Sequence, residues 1–542
     1  MSVPPPDVQR SFAGAVLAAG ELFPPGDRYR VFREKVLSVL RKVRPRMVAL
    51  YCVDNGRPGI ELVVMLGASL LQFLEKLPDR LAAAMVRLHL GWKYALDLEV
   101  DYQGFHPSSL SYFRTRLLEH EEERLAFDAI VDGLREAGLV PRRARQRLDS
   151  THVLGLVSAM SRLDVVWQSL RGAVGALREA AGVLALEGWG RLVELYVETE
   201  PDWRHLAKKE LGAKFRQAGR DAHRLLEWLE EQKSPLREVE AVALLRRVFE
   251  EQFERTPDGP ERRQGEPAGA VKNPHDPDAQ WSTKDKEGKK AWVGYKAQVA
   301  ETVPDDDAPP KAPGEPTGQF LTDLTTTEAI ASDLDGMGRS LDAQAAAGQE
   351  PPPELYVDAG YVTDDTLAEA KAEGRELLGP ARPCPQTAGT FPADQFDVDL
   401  AARRATCPAG RTSTQCSHIH DADQGATYWR FEWGAQCDTC PLRLACTRSR
   451  SGRRLLAVGE HHDLLQARRR EMKTREFQRR MRRRNAIEGT ISELVRLGLR
   501  RTRYRGLAKT RLHGYLVGAA CNIGRWLRLE AWRRQRAQAA PG

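Results

Sequence analysis

No run of eighteen or more apolar residues occurs in this 542-residue chain, so no membrane span is expected. The opening stretch, MSVPPPDVQRSFAGAVLAAGELFPP, lacks a basic segment ahead of its short apolar patch. No secretory leader is therefore expected, and a cytoplasmic location follows. No internal repeat is evident, which leaves out stacked-repeat architectures. Cysteine is scarce at eight residues, yet Cys407, Cys416, Cys437, Cys440 and Cys446 fall within forty positions. In a cytoplasmic chain such a cluster suggests metal before disulfide. The length exceeds one ordinary domain and implies two to four modules.

The formal net charge of +7 says less than its distribution. From His461 to Gly542 there are 22 Lys and Arg against 6 Asp and Glu, a surplus of +16, so the rest of the chain carries −9. Basic charge gathered at one end suggests contact with phosphate backbones. Leu, Ile, Val and Trp interleaved at helical spacing argue against a disordered tail.

Residues 1–140 read as an all-helical module, with the i, i+3, i+4 apolar rhythm in RVFREKVLSVLRKV and ELVVMLGASLLQFLEKL. In HPSSLSYFRTRLLEH, Ser108 or Ser109 opens a helix that carries Arg114 and Arg116. Residues 141–382 alternate strand and helix signals around a helical insertion at about 156–255. Residues 256–280 and 303–318 read as flexible linkers, being dominated by proline, glycine and charge. KAWVGYKAQVAET is a predicted strand, QFLTDLTTTEA another, and SDLDGMGRSLDAQAAA a helix. In ELYVDAGYVTDDTLAEAKAEG a buried strand stops at Asp358, and a helix begins near Asp364 and Asp365, which are placed to cap it. A cysteine-rich insertion spans 383–455, and residues 456–542 form basic helices.

Asp149 and Asp358 each end a predicted strand, and Glu488 lies on a predicted helix crowded with arginine. Acids that meet in this way stay ionised only when cations enter. Oxygen-only sites suit Mg²⁺ or Mn²⁺, and two such ions assist in-line displacement at phosphorus. Taken singly, each acid is more often a turn or cap residue.

Several segments resemble bacterial insertion-sequence DDE transposases of the branch with a helical N-terminal domain and a cysteine-bearing insertion. YCVDNGRPGIELVVMLGASLLQFLEKL and HPSSLSYFRTRL resemble its N-terminal domain. LDSTHVLG resembles the first-aspartate segment, WVGYKAQVAET the second core strand and YVDAGY the second-aspartate motif. RRNAIEGTISELVRLGLRRTRYRGLAKTRLHGYLVGAACNIGR resembles the glutamate helix and its sequel. The resemblance implies an α/β ribonuclease H-like core with Asp149, Asp358 and Glu488 as a catalytic triad holding two Mg²⁺ or Mn²⁺ ions. It implies binding of terminal inverted repeats, metal-dependent DNA cleavage and strand transfer, with a homodimer on double-stranded DNA in the nucleoid. The alternatives are a domesticated or inactive DNA-binding relative, or a metal-dependent nuclease without strand transfer. Many relatives carry Tyr, Arg, Glu and Lys around the glutamate. Here Arg484 fills the arginine place, but Met481 and Val495 stand where tyrosine and lysine would, with Arg496 beside the latter.

Expected DNA contacts are Arg484, Arg496, Arg503, Arg505, Lys296 and Arg114. Cys407, Cys437, Cys440 and Cys446 suit structural Zn²⁺, with Cys416, His418 and His420 as substitutes; the plainer alternative is reduced thiols in a small insertion. His152 reads as a local hydrogen-bonding residue or an aid to the site. Trp281, Trp292 and Tyr295 read as core aromatics or as platforms for a flipped base.

Overall fold

The computed structural model describes residues 22–52, 59–285, 287–305, 312–384, 389–422 and 426–539. It is a mixed α/β structure built around a six-stranded sheet. The first strand, β1 (Gln146–Leu154), is followed by a separate hairpin of β2 (Phe253–Thr256) and β3 (Gly259–Arg262). The sheet is completed by β4 (Gln280–Thr283), β5 (Ala291–Thr302), β6 (Leu321–Glu328), β7 (Glu354–Tyr356) and β8 (Glu376–Leu378). Its order is β4-β5-β1-β7-β8, and β6 also pairs with β5. β1 runs antiparallel to β5, with Asp149 opposite Val299, and parallel to β7, which is itself parallel to β8.

Asp149 does not end its strand. β1 continues five residues beyond it, because Ser150 to Leu154 stay in register with β5. The small polar residues that suggest a turn in sequence are here ladder residues, Ser150 half-buried and Thr151 buried. Residues 256–280 are not a loose linker either. After the β2–β3 hairpin, Val271 is fully buried, Asn273 Nδ2 donates to Ser158 O at 3.0 Å, and Asp276 Oδ1 accepts from the Tyr295 hydroxyl at 2.7 Å. Much of the expected linker at 303–318 lies outside the described residues, at 306–311.

Three helices of the N-terminal part, α1 (Leu62–Leu74), α2 (Ser108–Glu119) and α3 (Leu125–Glu136), do not close a core of their own. They share one with a sheet face and with the C-terminal α12 (Leu507–Ala539): Leu70, Phe127, Val299, Leu324, Leu512 and Leu516 belong to a single buried cluster. Close approach is built into α12. A Cβ at Gly514 would lie 2.8 Å from Leu324, and one at Gly518 would lie 3.0 Å from Phe127.

The helical segment between β1 and β2 is different. Its helices α4 (Arg162–Ala181), α5 (Lys208–Glu231) and α6 (Glu240–Gln252) enclose a separate core around Trp167, Tyr196, Leu225 and Phe249. The other sheet face, with Leu148, Ala300, Leu355 and Val357, is covered by α7 (Asp333–Ala346) and α8 (Asp364–Ala372). Thr363, not Asp364 or Asp365, caps α8: its hydroxyl accepts from Thr366 N at 3.1 Å, and the two acids occupy the first turn. The cysteine-rich unit carries β9 (Asp397–Asp399), β10 (Arg404–Thr406), β11 (Gln415–Asp421), β12 (Ala426–Glu432) and β13 (Leu455–Gly459) around Phe396, Phe431 and Trp433. Helices α9 (His462–Glu471), α10 (Arg475–Met481) and α11 (Ile487–Arg496) lead from it to α12. No helix among the described residues is long and apolar enough to cross a membrane.

Candidate active site

Asp149 and Asp358 converge because β1 and β7 are parallel neighbours, and each aspartate lies just past the last pair between those two strands, Arg147 with Tyr356. The Asp149 carboxylate accepts from the Ser150 amide at 2.8 Å and from Arg484 Nη2 at 2.8 Å. The same Arg484 nitrogen lies 3.8 Å from Asp358 Oδ2. One guanidinium thus bridges the two carboxylates, while its Nε is buried without a partner. Asp358 folds back on its own turn, accepting from Gly360 N at 2.6 Å.

A third acid, unmarked by sequence reasoning, joins them. Asp333, at the start of α7, accepts from the Ser150 hydroxyl at 3.1 Å and pairs with Lys296 Nζ at 3.3 Å. Burial pushes the Asp149 carboxyl above its ordinary pKa; Arg484 opposes that rise, and Asp358 and Asp333 add to it. The only local signal for Asp333 is the capping box of Ser332 and Asp335, which marks a helix start and says nothing of what lies across the sheet.

Glu488 is not among these acids. It sits exposed in the first turn of α11, where it makes no ion pair among the described residues. Its helix does pack against β1. A buried polar cluster fixes that packing. Glu301 accepts from Arg147 Nε at 2.6 Å, Thr490 Oγ1 at 2.7 Å and Arg525 Nη1 at 2.9 Å. Arg147, two places before Asp149 on the same face, also donates to Arg483 O at 2.8 Å. The turn carrying Arg484 is thereby held over β1.

The donor set fits a hard divalent cation in kind, being all carboxylate and already bridged by a cation. Gly360 leaves room beside it, since a Cβ there would lie 2.8 Å from Asp358 Oδ1 and 3.2 Å from Asp333 Oδ2. As placed, no three His, Cys, Asp or Glu among the described residues form a group able to hold a metal ion. The cysteines among the described residues form no such group either. Cys407, Cys437, Cys440 and Cys446 do line one small cavity, and burial raises the Cys446 thiol pKa, with Arg454 opposing and the other three thiols adding. Cys416 lies apart on β11; His418 stacks on Trp429 at 4.3 Å, and His420 bonds Thr427 at 3.0 Å.

The expected DNA contacts divide. Arg496 and Arg505 are exposed. Arg503 donates to Leu77 O at 2.7 Å and covers the Phe73 ring. Arg114 is buried, bonds Asp79 at 3.2 Å through Nη1 and lies over Tyr504, so its guanidinium is committed inside the protein and not offered to DNA. Lys296 is tied to Ala331 O and Asp333. Tyr295 is fully buried and Trp292 nearly so, which removes both as base platforms; Trp281 is exposed. His152 rests against Trp292, and burial, with Arg500 and Lys284, lowers its pKa to about 4, so the ring is neutral at pH 7.

Two family models match the chain: a transposase domain (DUF772) over residues 18–116 and a transposase DDE domain over residues 406–527. The second includes Glu488 and the cysteine cluster, while Asp149 and Asp358 lie between the two matched segments. No curated protein and no solved structure matches. The two matches, one near each end of the chain, indicate an insertion-sequence DDE transposase.

Proposed function

We propose that the chain binds the terminal inverted repeats of its element and catalyses metal-dependent DNA cleavage followed by strand transfer, with Asp149, Asp358 and Glu488 as the catalytic carboxylates. The observation that carries this reading is the meeting of Asp149 and Asp358 around a single cation, Arg484, on adjacent parallel strands. The strand order β6-β5-β1-β7-β8, antiparallel on one side of β1 and parallel on the other, supports a ribonuclease H-like core.

DDE transposases generally use divalent metals, and here Asp149 and Asp358 would hold Mg²⁺ or Mn²⁺, with Glu488 joining from α11. Two such ions offset the charge that develops on the entering and leaving oxygens at phosphorus. The protein's own part is to position. Ser150 N–H and Gly360 N–H fix one oxygen of each aspartate and leave the other facing Arg484. With those carboxylates given over to a bound cation, the Arg484 guanidinium would be free to take a phosphate, where it would add affinity without reading sequence. Arg496 and Arg505, already exposed, extend that contact. Two protomers on a DNA pair complete the reading.

Purified protein incubated with end-containing DNA and Mg²⁺ tests it. Joined products are expected; nicks alone would mean a nuclease, and retardation alone a binding module. Asp149→Ala, Asp358→Ala and Glu488→Ala should each lower cleavage by about a thousandfold or more, about 4 kcal/mol of barrier, with DNA binding kept. Normal cutting by the Glu488 variant would remove that residue and point to Asp333 as the third acid. Structural Zn²⁺ at Cys407, Cys437, Cys440 and Cys446 is the lesser part of the proposal, supported by four thiols around one cavity. It requires about one zinc per chain by atomic emission, lost in a Cys437→Ser/Cys440→Ser variant.

A further inference from the structure

A cavity of about 660 Å³ opens between the exit of β8, the loop before β9 and helix α9. Four cations line it, Arg382, Arg469, Arg470 and Lys473, against two acids, Asp394 and Asp397. The walls are fixed. Ala381 N donates to Met472 Sδ at 3.1 Å, and Gln466 Nε2 donates to Phe396 O at 3.3 Å, tying α9 to both loops.

The neighbouring Arg468 shows what a satisfied arginine looks like here: it pairs with Glu471 at 2.9 Å and donates to Gly379 O at 2.9 Å. Arg469, Arg470 and Lys473 have no ion-pair partner among the described residues. Arg469 Nη1 is buried and has no hydrogen-bond partner among the described residues. An unpaired buried guanidinium nitrogen is costly, and an anion in the cavity would remove the cost. Arg382 links the cavity to the candidate active site. Its Nε donates to Ala359 O at 3.2 Å, and its Nη2 lies 3.4 Å from where a Gly360 Cβ would be, on the turn that holds Asp358.

We propose that this cavity is a groove for the phosphodiester backbone of the DNA strand whose cleaved bond lies at Asp358. The proposal rests on the active-site reading above for its orientation, and on the unpaired cations for its ligand. Guanidinium and ammonium groups take phosphate oxygens through charge-assisted bonds, and each phosphate engaged releases counterions. The two acids among its walls favour a threaded chain over an indiscriminate anion trap, since they repel any phosphate not held by Arg469 or Lys473.

The test uses the full-length protein, a fluorescein-labelled mixed-sequence duplex of about 40 base pairs and anisotropy across NaCl. An Arg469→Gln/Arg470→Gln/Lys473→Gln variant should bind about tenfold more weakly near 0.15 M salt, with the log–log salt slope smaller by about two to three. A second measurement needs no variant. Cys384 lines the cavity, so duplex DNA should slow its alkylation by N-ethylmaleimide several-fold, read by peptide mass spectrometry. Unchanged affinity and slope in a folded variant overturn the groove, and so does unchanged Cys384 alkylation; if the variant does not fold, alkylation alone decides. Persisting cleavage by Asp149→Ala would strike the catalytic reading and leave the groove standing, so the two failures are distinguishable.

Discussion

Around Glu301, two guanidinium groups are sealed inside the protein: the side chains of Arg147 and Arg525 are 2% and 3% exposed, and the carboxylate between them is wholly buried. Along α9 and at the C-terminal end of α11, the same residue type stands without an ion-pair partner among the described residues, as Arg469, Arg470 and Arg496. Both sets contribute to the basic surplus of the C-terminal part. Only the second is free to meet a polyanion. Net charge therefore overstates the binding surface: arginines such as Arg480, paired with Glu376 and Glu354, join strands and helices. What separates the sets is burial with a carboxylate, which neither composition nor helical spacing records.

The sharpest way to break the contrast is Glu301→Ala. Two buried guanidiniums would lose their anion, which should cost about 3–5 kcal/mol. Denaturant unfolding should show it. A change below about 1 kcal/mol would mean that water reaches the cluster, and the division into sealed and free arginines would fail.

A paired substitution sharpens it further. Arg114→Gln should lower stability by about 1–3 kcal/mol, because Asp79 loses its partner. The Asp79 carboxyl lies below its usual range although burial acts to raise it, since Arg114, Gln72 and Arg503 outweigh that effect. The salt slope of DNA binding should not move. Arg505→Gln should do the reverse, changing stability by no more than about 0.5 kcal/mol and lowering the slope by about one. If both variants moved the slope equally, Arg114 would have to leave its pocket on DNA.

Much of the site was legible in the chain. Asp358 could be placed because ELYVDAG is a short apolar run broken by turn residues, and local chemistry of that kind survives folding. The sequence marks Asp149 as a candidate but ends its strand too early, since Ser150 and Thr151 suggest a turn until β5 pairs with them. Asp333 was invisible, because its place beside Ser150 depends on how α7 returns across the sheet. Arg114 misled for a related reason: a basic helix position looks alike whether it faces solvent or Asp79. The proline-rich stretch after β3 misled by composition, when Val271 and Asp276 anchor it. Tertiary partners decided each miss, and a single sequence does not contain them.

The smallest expected effect bears on Arg484, which belongs to neither set: it is half-committed, bridging two acids it must later give up. Burial raises the Asp149 carboxyl pKa in the folded protein despite Arg484. On falling pH the folded state therefore takes up its proton first, and ionisation works against folding. Stability is lost as pH climbs from the ordinary carboxylate range to the raised value, and the loss persists above it. Asn cannot ionise, so Asp149→Asn should give a slightly higher Tm than the wild type at pH 7. The gap should close below the ordinary carboxylate range, where both side chains are neutral. Mg²⁺ should then raise the wild-type Tm and leave the variant nearly unmoved, because only the carboxylate gains a stronger cation than Arg484. A lower Tm for Asp149→Asn at pH 7 would mean that the bridge outweighs the burial, and that Arg484 belongs with the sealed arginines after all.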